Sequence, residues 1–346
     1  MPDPGASAAA AGPPVRIAVV GVGHLGKHHA RLLSNNPDCH LVALADPRED
    51  SLRTAVEVCA GTPALHTDYR DLAGQVDAVC VAAPTRLHRE IAGWFLERDT
   101  DVLVEKPITS SSAQAAELVD LARRHDRVLM VGHVERYNPA VRSIHRLGIE
   151  PRYIESHRMG GITFRSMDVG VVLDLMIHDL DLVLALIPSE VSSVDAFGGA
   201  LFTPAEDVAS AIVKFENGAV AHLTASRVAL QPMRRMRLFS PSAYVRLDFT
   251  AAEGLVVRKN EGWDLQKLDL DSIDPVGVGD LTKYVFEGLL SVEQLKLDEG
   301  NPLDEELREF LSCVRTRGRP QVAGEEGLAA VALAERILES IRSHPW

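Results

Sequence analysis

The sequence predicts an α/β fold in which a doubly wound parallel sheet is followed by an α+β domain built on a mostly antiparallel, open sheet. Three observations lead to this prediction. Short apolar runs alternate with helical stretches from Val15 to about Val134, as in parallel sheets whose strands are buried on both faces. A glycine-rich turn follows the first of these runs directly. From Val191 onward, strand-like segments follow one another without helices between them, which is typical of antiparallel sheets.

Five apolar runs form the predicted parallel sheet. Each run has the length of a short strand, and the stretches that separate the runs are long enough for crossover helices. Alternation of this kind places helices on both faces of one sheet, which makes the sheet doubly wound. The runs cover residues 15–21, 41–46, 76–84, 101–107 and 127–133.

The pattern changes after Asn138. A helix beginning there, a strand over 151–159 and a very apolar helix from about Gly170 to Ile187 precede the consecutive strands. Asn217–Gly218 lies between two alternating runs and is a strong hairpin signal. We expect residues 1–14 to form a disordered tail, residues 15–134 and 135–318 to form the two domains, and residues 319–346 to form a C-terminal helix.

The charge balance excludes polyanions as partners. The 346 residues include 36 Lys and Arg against 49 Asp and Glu, a formal net charge of −13. Because nucleic acids and anionic membranes bind cationic surfaces, we expect neither as a partner. Aromatic residues make up only 5% of the chain, too few for an extended base-stacking platform.

The cysteines and the apolar runs indicate a cytoplasmic protein. Four cysteines lie far apart and lack the spacing of a metal site, so we interpret them as structural thiols in a reducing compartment and expect no metal. No apolar run reaches the roughly 18 residues of a membrane helix. The N-terminus has no cationic start and no apolar core that would make it a signal peptide.

The glycine-rich turn predicts a dinucleotide site. Glycines with the spacing GxGxxG allow a tight turn and let backbone N–H groups approach a pyrophosphate at the start of a helix. A carboxylate, Asp46, ends the second apolar run 20 residues after the last glycine, as a group that bonds the adenosine ribose would. The residues of the turn are Gly21, Val22, Gly23, His24, Leu25 and Gly26.

Asp46 favours NAD over NADP, because a carboxylate repels a 2′-phosphate. Arg48 lies two residues further on and has two interpretations. It either softens this preference or is an ordinary solvated loop arginine. His28 and His29, in the helix after the turn, are expected to be exposed.

A lysine is predicted at the ligand-binding edge of the sheet. Glu105, Lys106 and Pro107 stand at the carboxyl end of an apolar run, which is where open α/β sheets bind ligands. A lysine in that place is a candidate active-site group. The alternative is an ordinary solvent-exposed lysine with no functional role. The proline ends the strand, and a cis Lys106–Pro107 bond is compatible with this position.

The apolar helix from Gly170 to Ile187 carries a polar stripe. Asp174, His178 and Asp181 fall at i, i+4 and i+7, on one face of an otherwise apolar helix. One interpretation is a general base, His178, oriented by Asp174. A structural Asp–His pair with Asp181 on the solvent side is the alternative. Metal binding lacks a third ligand in the sequence.

These groups suit alcohol oxidation. A dehydrogenase needs a hydride acceptor, a base for the hydroxyl proton and a positive group for the developing alkoxide. We expect NAD, His178 and Lys106 to fill these three roles.

The sequence resembles the Gfo/Idh/MocA oxidoreductases over nearly its whole length. The matching pieces are GVGHLG, LADP, AAPTRLH, VEKPIT, GHVERYNPA and DLMIHD, in that order. The resemblance implies that Lys106, Asp174 and His178 line the nicotinamide site and that Glu105 lies beside it. It also implies homodimers or homotetramers and a last helix that packs back on the nucleotide domain. The cofactor loop that it implies contains Pro84, Thr85 and His88.

Within this family the chain looks most like the UDP-N-acetylglucosamine 3-dehydrogenases. Those enzymes form a 3-keto sugar that an aminotransferase aminates for lipid A synthesis. The resemblance therefore implies a UDP-sugar substrate and a partner aminotransferase. Arg158 and Arg165 are candidate contacts for the diphosphate, and Tyr137 and Asn138 for sugar hydroxyls, with surface or helix-capping roles as the alternatives.

Three other functions remain open. The first is a dehydrogenase of UDP-N-acetylglucosaminuronic acid, and the second is a dehydrogenase of a free polyol such as inositol. The third belongs to another class, a non-catalytic NAD-binding sensor. The presence of both Lys106 and His178 weighs against the sensor, because a sensor needs neither group.

Overall fold

A computed structural model describes residues 13–162, 169–260, 290–297 and 300–344. The expectations for most of the N-terminal tail and for Arg165 lie outside the described residues, and so does the segment 271–283, whose sequence predicts a loop. The chain divides into two compact units. The first comprises the chain up to Val134 together with Asn301–Ala332, and the second comprises Glu135–Gly300 together with the chain from Leu333.

The first unit is built on a six-stranded parallel sheet. The spatial order β3-β2-β1-β4-β5-β6 reverses direction at β1, which makes the sheet doubly wound and confirms the predicted fold class. Strand β4 is buried along its whole length, and so are β5 and β6, as expected for continuous apolar runs between two helical layers. The strands are β1 (Val15–Val20), β2 (Cys39–Ala45), β3 (Ala64–His66), β4 (Ala78–Val81), β5 (Asp101–Glu105) and β6 (Leu129–Gly132).

The helices of this unit follow the strands as crossovers. They are α1 (His24–Ser34), α2 (Glu49–Val56), α3 (His88–Leu96) and α4 (Ser112–Arg124), with a 3₁₀ turn over Thr85–Leu87 before α3. The amphipathic character of each helix leaves one apolar face for the sheet.

The second unit contains an eight-stranded, mostly antiparallel sheet, also as predicted. Its spatial order is β14-β13-β12-β11-β7-β10-β9-β8, and the described pairs are antiparallel except β7 with β10. The strands are β7 (Tyr153–Met159), β8 (Val191–Gly199), β9 (Val208–Phe215), β10 (Val220–Ser226), β11 (Met233–Phe239), β12 (Ala243–Asp248), β13 (Glu253–Lys259) and β14 (Leu290–Gln294).

The predicted hairpin joins β9 to β10. Gly218 takes a φ of +82°, which costs glycine little because it has no Cβ. Its N–H donates to the Phe215 carbonyl at 3.0 Å. The two strands then pair antiparallel from Lys214 opposite Val220, so the turn sets the register of the sheet.

One face of this sheet carries the apolar core of the second unit. Along β7 buried and less buried residues alternate, because successive side chains point to opposite faces. Ile154, Leu223 and Met236 are fully buried and belong to one apolar cluster with helix residues such as Leu180. The helices before β8 are α5 (Pro139–Leu147), a single π-helical turn (Val172–Met176) and α6 (Ile177–Leu186).

The chain after β14 returns to the first unit. Helix α7 (Pro302–Thr316) packs near α1 and β1, and Leu307, Phe310 and Leu311 on it are buried. Residues 301–318, expected in the second domain, therefore lie in the first unit, because this apolar face packs there. The last helix, α8 (Gly324–Ser343), belongs to the first unit up to Ala332 and to the second from Leu333.

None of the helices within the described ranges is both long enough and apolar enough to span a membrane.

A substitution of Phe310 measures how much the packing of α7 contributes to the stability of the first unit. This side chain is fully buried, so Phe310→Ala leaves a cavity and is expected to lower the free energy of unfolding by about 3–5 kcal/mol. Chemical denaturation measures the loss. Arg308→Ala, at an exposed position of the same helix, is the control and should cost less than about 1 kcal/mol. An equal effect of the two substitutions would contradict the packing described here.

Candidate active site

The glycine-rich turn of the first unit has no room for side chains at two of its glycines. It lies between β1 and α1, and Gly21 has a φ of +84°. A Cβ on Gly21 would lie 2.6 Å from the Ala83 nitrogen, and one on Gly26 would lie 1.9 Å from the Gly21 oxygen. By contrast, a Cβ on Gly23 would meet only the tip of Arg48, at 3.8 Å. The backbone at Gly23 is thus open to a ligand.

Asp46 holds this turn against the end of β2. Its Oδ2 accepts a hydrogen bond from the Val22 N–H at 3.0 Å, and its Oδ1 accepts one from the Arg48 N–H at 2.9 Å. Asp46 is only 5% exposed. The sequence places this carboxylate at the turn as expected, but in the structure its oxygens are occupied by backbone donors.

A cavity of about 570 Å³ opens beside the turn. Its walls include Gly21, Asp46 and Pro84, and Arg48 and Arg86 also line it. This volume is in the range of small-molecule sites. The open backbone, the start of α1 and the cavity together fit the adenosine side of a dinucleotide. His24 and Leu25, at the start of α1, are exposed.

His88 does not face this cavity. It is 1% exposed, and its ring nitrogens lie 2.9 Å from the Pro107 oxygen and 2.7 Å from the Ala83 oxygen. Burial lowers its pKa, although both carbonyls oppose that shift. The expected cofactor contact is therefore replaced by a structural role, because the imidazole joins the loop after β4 to the loop after β5. Thr85 starts the 3₁₀ turn between them.

Glu105 positions the backbone of Lys106. Its Oε1 lies 2.6 Å from the Nε2 of His29, and its Oε2 accepts the Lys106 N–H at 3.2 Å. A Cβ on Gly132 would lie 3.0 Å from the Glu105 carboxyl carbon, so the glycine makes room for this group. His29 was expected to be exposed and is fully buried, because it faces this carboxylate. The Lys106–Pro107 peptide is cis.

In the second unit, Asp174 and His178 lie on either side of the junction between the π-helical turn and α6. Both are partly buried. The predicted stripe assumed one regular α-helix, whereas the π-helical turn changes the spacing at this point. Asp181 does not form a solvent-side rim, since it is 1% exposed. π-helical turns are frequent at functional sites.

Glu206 fixes the start of this helical segment. Its Oε1 accepts the Val172 N–H at 3.1 Å, and its carbonyl accepts the Val171 N–H at 2.9 Å. Gly170 faces the same carboxylate, and a Cβ there would lie 1.9 Å from Oε1. A carboxylate at the first N–H groups of a helix satisfies donors that have no partner within the helix.

Two buried bidentate ion pairs hold α6 next to His178. Arg158 binds Asp179 through Nε at 3.0 Å and Nη2 at 2.9 Å, and its Nη1 binds Glu135 at 2.9 Å. Arg136 binds Asp181 at 2.6 Å and 2.9 Å. All five side chains are buried. Burial alone would lower the pKa of Arg158, but Asp179 and Glu135 hold it above the ordinary value.

Arg158 therefore has a different role from the one expected. It is 3% exposed, and its guanidinium is committed to two carboxylates, which leaves little surface for a substrate diphosphate. The sequence predicts that an arginine on an alternating strand is accessible to solvent. That prediction is wrong for Arg158 because the carboxylates that bind it lie more than 20 residues away in the sequence. Arg165, the other candidate, lies outside the described residues.

Tyr137 and Asn138 also contribute to packing. Tyr137 ends the 3₁₀ turn Val134–Tyr137 and is 4% exposed. Asn138 takes the capping role, since its Oδ1 accepts the Ala140 N–H at 3.0 Å and its Nδ2 donates to Glu135 at 3.1 Å. Burial leaves Tyr137 little surface for a sugar, whereas Asn138 is only partly buried.

Arg227 is a site residue that the sequence does not reveal. It is 5% exposed, and its Nη2 donates to the Val169 carbonyl at 2.7 Å and lies 3.9 Å from Asp174 Oδ2. Its Nε lies 4.0 Å from Asp207 Oδ1. Arg227 directly follows the alternating strand β10, so no local pattern in the sequence distinguishes it.

Asp207 organises the loop that carries Glu206. Its Oδ2 accepts the N–H groups of Leu201, Phe202 and Thr203 at 2.7, 2.6 and 3.0 Å. Burial disfavours its charged form, but these N–H groups and the Thr203 hydroxyl hold its pKa down at about 2.

Across the ranges covered by the structure, no group of three or more His, Cys, Asp or Glu side chains is placed to hold a metal ion.

The Glu105–His29 contact is expected to contribute to stability. Glu105→Ala leaves a buried imidazole and a backbone N–H without their acceptor, which should cost about 3 kcal/mol in the free energy of unfolding. Denaturation of His29→Leu, of Glu105→Leu and of the double variant His29→Leu/Glu105→Leu gives the coupling energy. Glu117→Ala, which removes an exposed partner of Arg89, is the control. Additive losses in the double variant would contradict the contact.

Asp207 is expected to make stability depend on pH in acid. Its pKa is about 2 in the folded protein against an ordinary value of 3.8, so its contribution is complete above about pH 4 and is lost as the pH falls towards 2. Asp207→Asn should unfold at lower denaturant than the natural protein at pH 6. That difference should shrink progressively between about pH 4 and pH 2. A difference that stays constant over this window would show that the charge of Asp207 contributes nothing.

Known proteins match both units. A family model described as "Oxidoreductase family, NAD-binding Rossmann fold" matches residues 15–133, and the GFO/IDH/MocA C-terminal domain matches residues 150–245. UDP-N-acetylglucosamine 3-dehydrogenase from Acidithiobacillus ferrooxidans is 37% identical over 241 residues, which cover 68% of this chain and 74% of that protein. Its solved structure matches with a TM-score of 0.82 at 30% identity, covering 95% of this chain and 98% of that chain.

Inositol-oxidising proteins are also related. Myo-inositol 2-dehydrogenase from Thermotoga maritima is 27% identical over 351 aligned residues, covering 95% of this chain and 98% of that protein. The NAD-binding Rossmann description agrees with the glycine-rich turn of the first unit. The chain belongs to the GFO/IDH/MocA family of NAD-binding oxidoreductases.

Proposed function

We propose that this protein is an NAD-dependent dehydrogenase that oxidises the 3-hydroxyl of a UDP-amino sugar, with UDP-N-acetylglucosamine as the substrate. The observation that carries the proposal is the 37% identity to an enzyme of that name, together with a fold match over 95% of the chain. The residues that such a reaction needs are present in both units.

The chemistry is divided among three side chains of this protein. NAD, when bound, supplies the hydride acceptor. His178 takes the proton of the sugar hydroxyl as a general base. Asp174 orients the imidazole and favours its protonated form, and Lys106 offers positive charge to the oxygen as the carbonyl forms.

The buried surroundings of these groups support these roles. The Lys106 backbone is held by Glu105 at 3.2 Å, and Asp174 lies 3.9 Å from the buried guanidinium of Arg227. The helix that carries His178 is held by the Arg158 and Arg136 ion pairs. Preorganised groups of this kind stabilise charge that develops in the transition state without reorganising at the moment of reaction.

The product would be a 3-keto nucleotide sugar. A ketone in that position is the substrate of an aminotransferase, so we propose an aminotransferase as the partner, in lipid A or related glycan synthesis. Arg165 remains our candidate for the diphosphate. We also propose that the protein acts as a homodimer or homotetramer in the cytoplasm.

A second candidate is oxidation of a free polyol such as inositol. This candidate is favoured by the share of the chain that its relatives match: two inositol dehydrogenases align with 94–95% of this chain at 25–27% identity. The UDP-sugar relative matches less of the chain in sequence but at higher identity. Higher identity is the stronger indication of a shared substrate, so we place the UDP-sugar first.

Substrate identity is tested by following NADH formation with a panel of UDP-N-acetylglucosamine, its uronic acid, N-acetylglucosamine and myo-inositol. A trapping aminotransferase prevents product inhibition from hiding activity. We expect turnover with UDP-N-acetylglucosamine and little with the free sugar. Turnover with inositol but not with any UDP-sugar would overturn the assignment, and NAD binding with no turnover at all would favour a sensor.

Substitutions of Lys106 and His178 test the proposed catalytic roles. Lys106→Ala and His178→Ala should each lower kcat by about 100-fold or more, because each removes a group needed only in the transition state. NAD affinity should be retained. Lys214→Ala, at an exposed position on β9, is the matched control. Near-normal kcat in either site variant would remove that residue from the mechanism.

A further inference from the structure

We propose that His88 is a positioning residue, which ties the loop after β4 to the loop after β5 and so holds both the cavity beside the glycine-rich turn and the backbone next to Lys106. The inference deepens the proposed function and rests on it only for the role of Lys106. All the residues concerned belong to the first unit.

The loop after β4 packs against the glycine-rich turn. A Cβ on Gly21 would lie 2.6 Å from the Ala83 nitrogen and 2.8 Å from the Ala82 carbonyl carbon, so the two backbones are in close contact. Ala83 and Pro84 also line the cavity beside the turn. A shift of this loop would therefore change the shape of that cavity.

The backbone of Lys106 is held on both sides through buried histidines. On the amino side, Glu105 accepts the Lys106 N–H at 3.2 Å and lies 2.6 Å from the Nε2 of His29. On the carboxyl side, the Pro107 oxygen lies 2.9 Å from the Nδ1 of His88. Both histidines are buried, so they act on a ligand only through the segments that they hold.

The geometry at His88 calls for two hydrogen-bond donors. Its Nε2 lies 2.7 Å from the Ala83 oxygen and its Nδ1 lies 2.9 Å from the Pro107 oxygen, and a carbonyl oxygen can only accept. A neutral imidazole has one N–H, whereas the imidazolium has two. The neutral form therefore holds one loop and presents a lone pair to the other, and only the imidazolium holds both.

Burial and charge act against each other at His88. Burial lowers its pKa below the ordinary value of 6.5, while the two carbonyls and the Glu105 carboxylate oppose that shift. Burial also raises the pKa of the Cys80 thiol, on β4, so that group adds no charge. Other charged groups on the elements around His88 have partners elsewhere or face solvent, among them Arg86, Arg89, Glu90, Asp101 and Glu117.

Cofactor affinity tests the tie to the glycine-rich turn without any sugar present. His88→Phe keeps a ring and removes both donors, and His88→Gln keeps one amide donor group. By calorimetry on the full chain, we expect NAD to bind about tenfold or more weakly to His88→Phe, and less weakly to His88→Gln. His40→Gln, at an exposed histidine of β2, is the matched control and should leave the affinity unchanged. Chemical denaturation shows that each variant is folded.

Nuclear magnetic resonance of the histidine ring nitrogens reads the protonation of His88, whose signal is the one that His88→Gln lacks. We expect the imidazolium to form as the pH falls below the ordinary value of 6.5. Bound NAD should move that change to higher pH, because a ligand that orders both loops favours the form that holds both. By the same linkage, NAD affinity should improve on acidification more in the natural protein than in His88→Gln. An imidazole that stays neutral wherever the protein is folded would overturn the two-donor arrangement.

The link to Lys106 is tested by turnover at saturating NAD. His88→Phe should lower kcat by about tenfold and change the KM for the sugar little, because the loop that carries Lys106 is displaced. In the double variant with Lys106→Ala, His88→Phe should cost no more than Lys106→Ala alone, since both substitutions remove the same contribution. Losses that multiply in the double variant would overturn the link.

Failure of this inference is distinguishable from failure of the proposed function. If no sugar is oxidised, the affinity and resonance measurements still test His88, because they need only NAD. Unchanged NAD affinity in both His88 variants would overturn the tie between the two loops, even if UDP-N-acetylglucosamine is turned over.

Discussion

A carboxylate that is removed from water must be given hydrogen-bond donors or a cation, and this requirement organises the candidate site residues within each of the two units. In the first unit, Asp46 accepts a hydrogen bond from the backbone of the glycine-rich turn. Glu105 is hydrogen-bonded to the His29 ring and accepts the backbone N–H of Lys106. In the second unit, Asp179 and Asp181 form ion pairs with buried arginines. Each buried acid holds in place a segment that carries a candidate site residue. The sites therefore depend on groups that a substrate never needs to touch.

Burial separates the polar residues into two sets. Buried groups such as Arg158, His88 and His29 have partners within the protein and give the site its shape. Partly exposed groups such as Asp174 and His178 keep surface for a ligand. This division changes the roles inferred from the sequence, since a polar residue near a motif is not necessarily a ligand contact. It also explains how a chain with a net charge of −13 can hold an anionic cofactor, because the acidic residues that line the cavity, Asp46, Asp68 and Glu90, already accept hydrogen bonds within the protein.

Much of the fold is predictable because its signals are local. Continuous apolar runs indicate buried parallel strands, and Asn217–Gly218 indicates a hairpin that is present in the structure. The glycine-rich turn and Asp46 are also found together as predicted. The errors concern residues with distant partners. His29 pairs with a carboxylate 76 residues away, and Arg227 lies near Asp174, 53 positions earlier in the chain. No window along the sequence contains both members of either pair.

The sequence by itself determined the two kinds of sheet and the place of the dinucleotide turn. These depend on apolar periodicity and on glycine spacing, which are properties of neighbouring residues. Only the tertiary structure decided which polar side chains are available to a ligand. The guanidinium of Arg158 is bound by two buried carboxylates, whereas the side chain of Arg48, on the cavity beside the glycine-rich turn, is 69% exposed. Whether a polar side chain can reach a ligand depends on all the groups packed around it. Most of those groups belong to segments that are distant in the sequence.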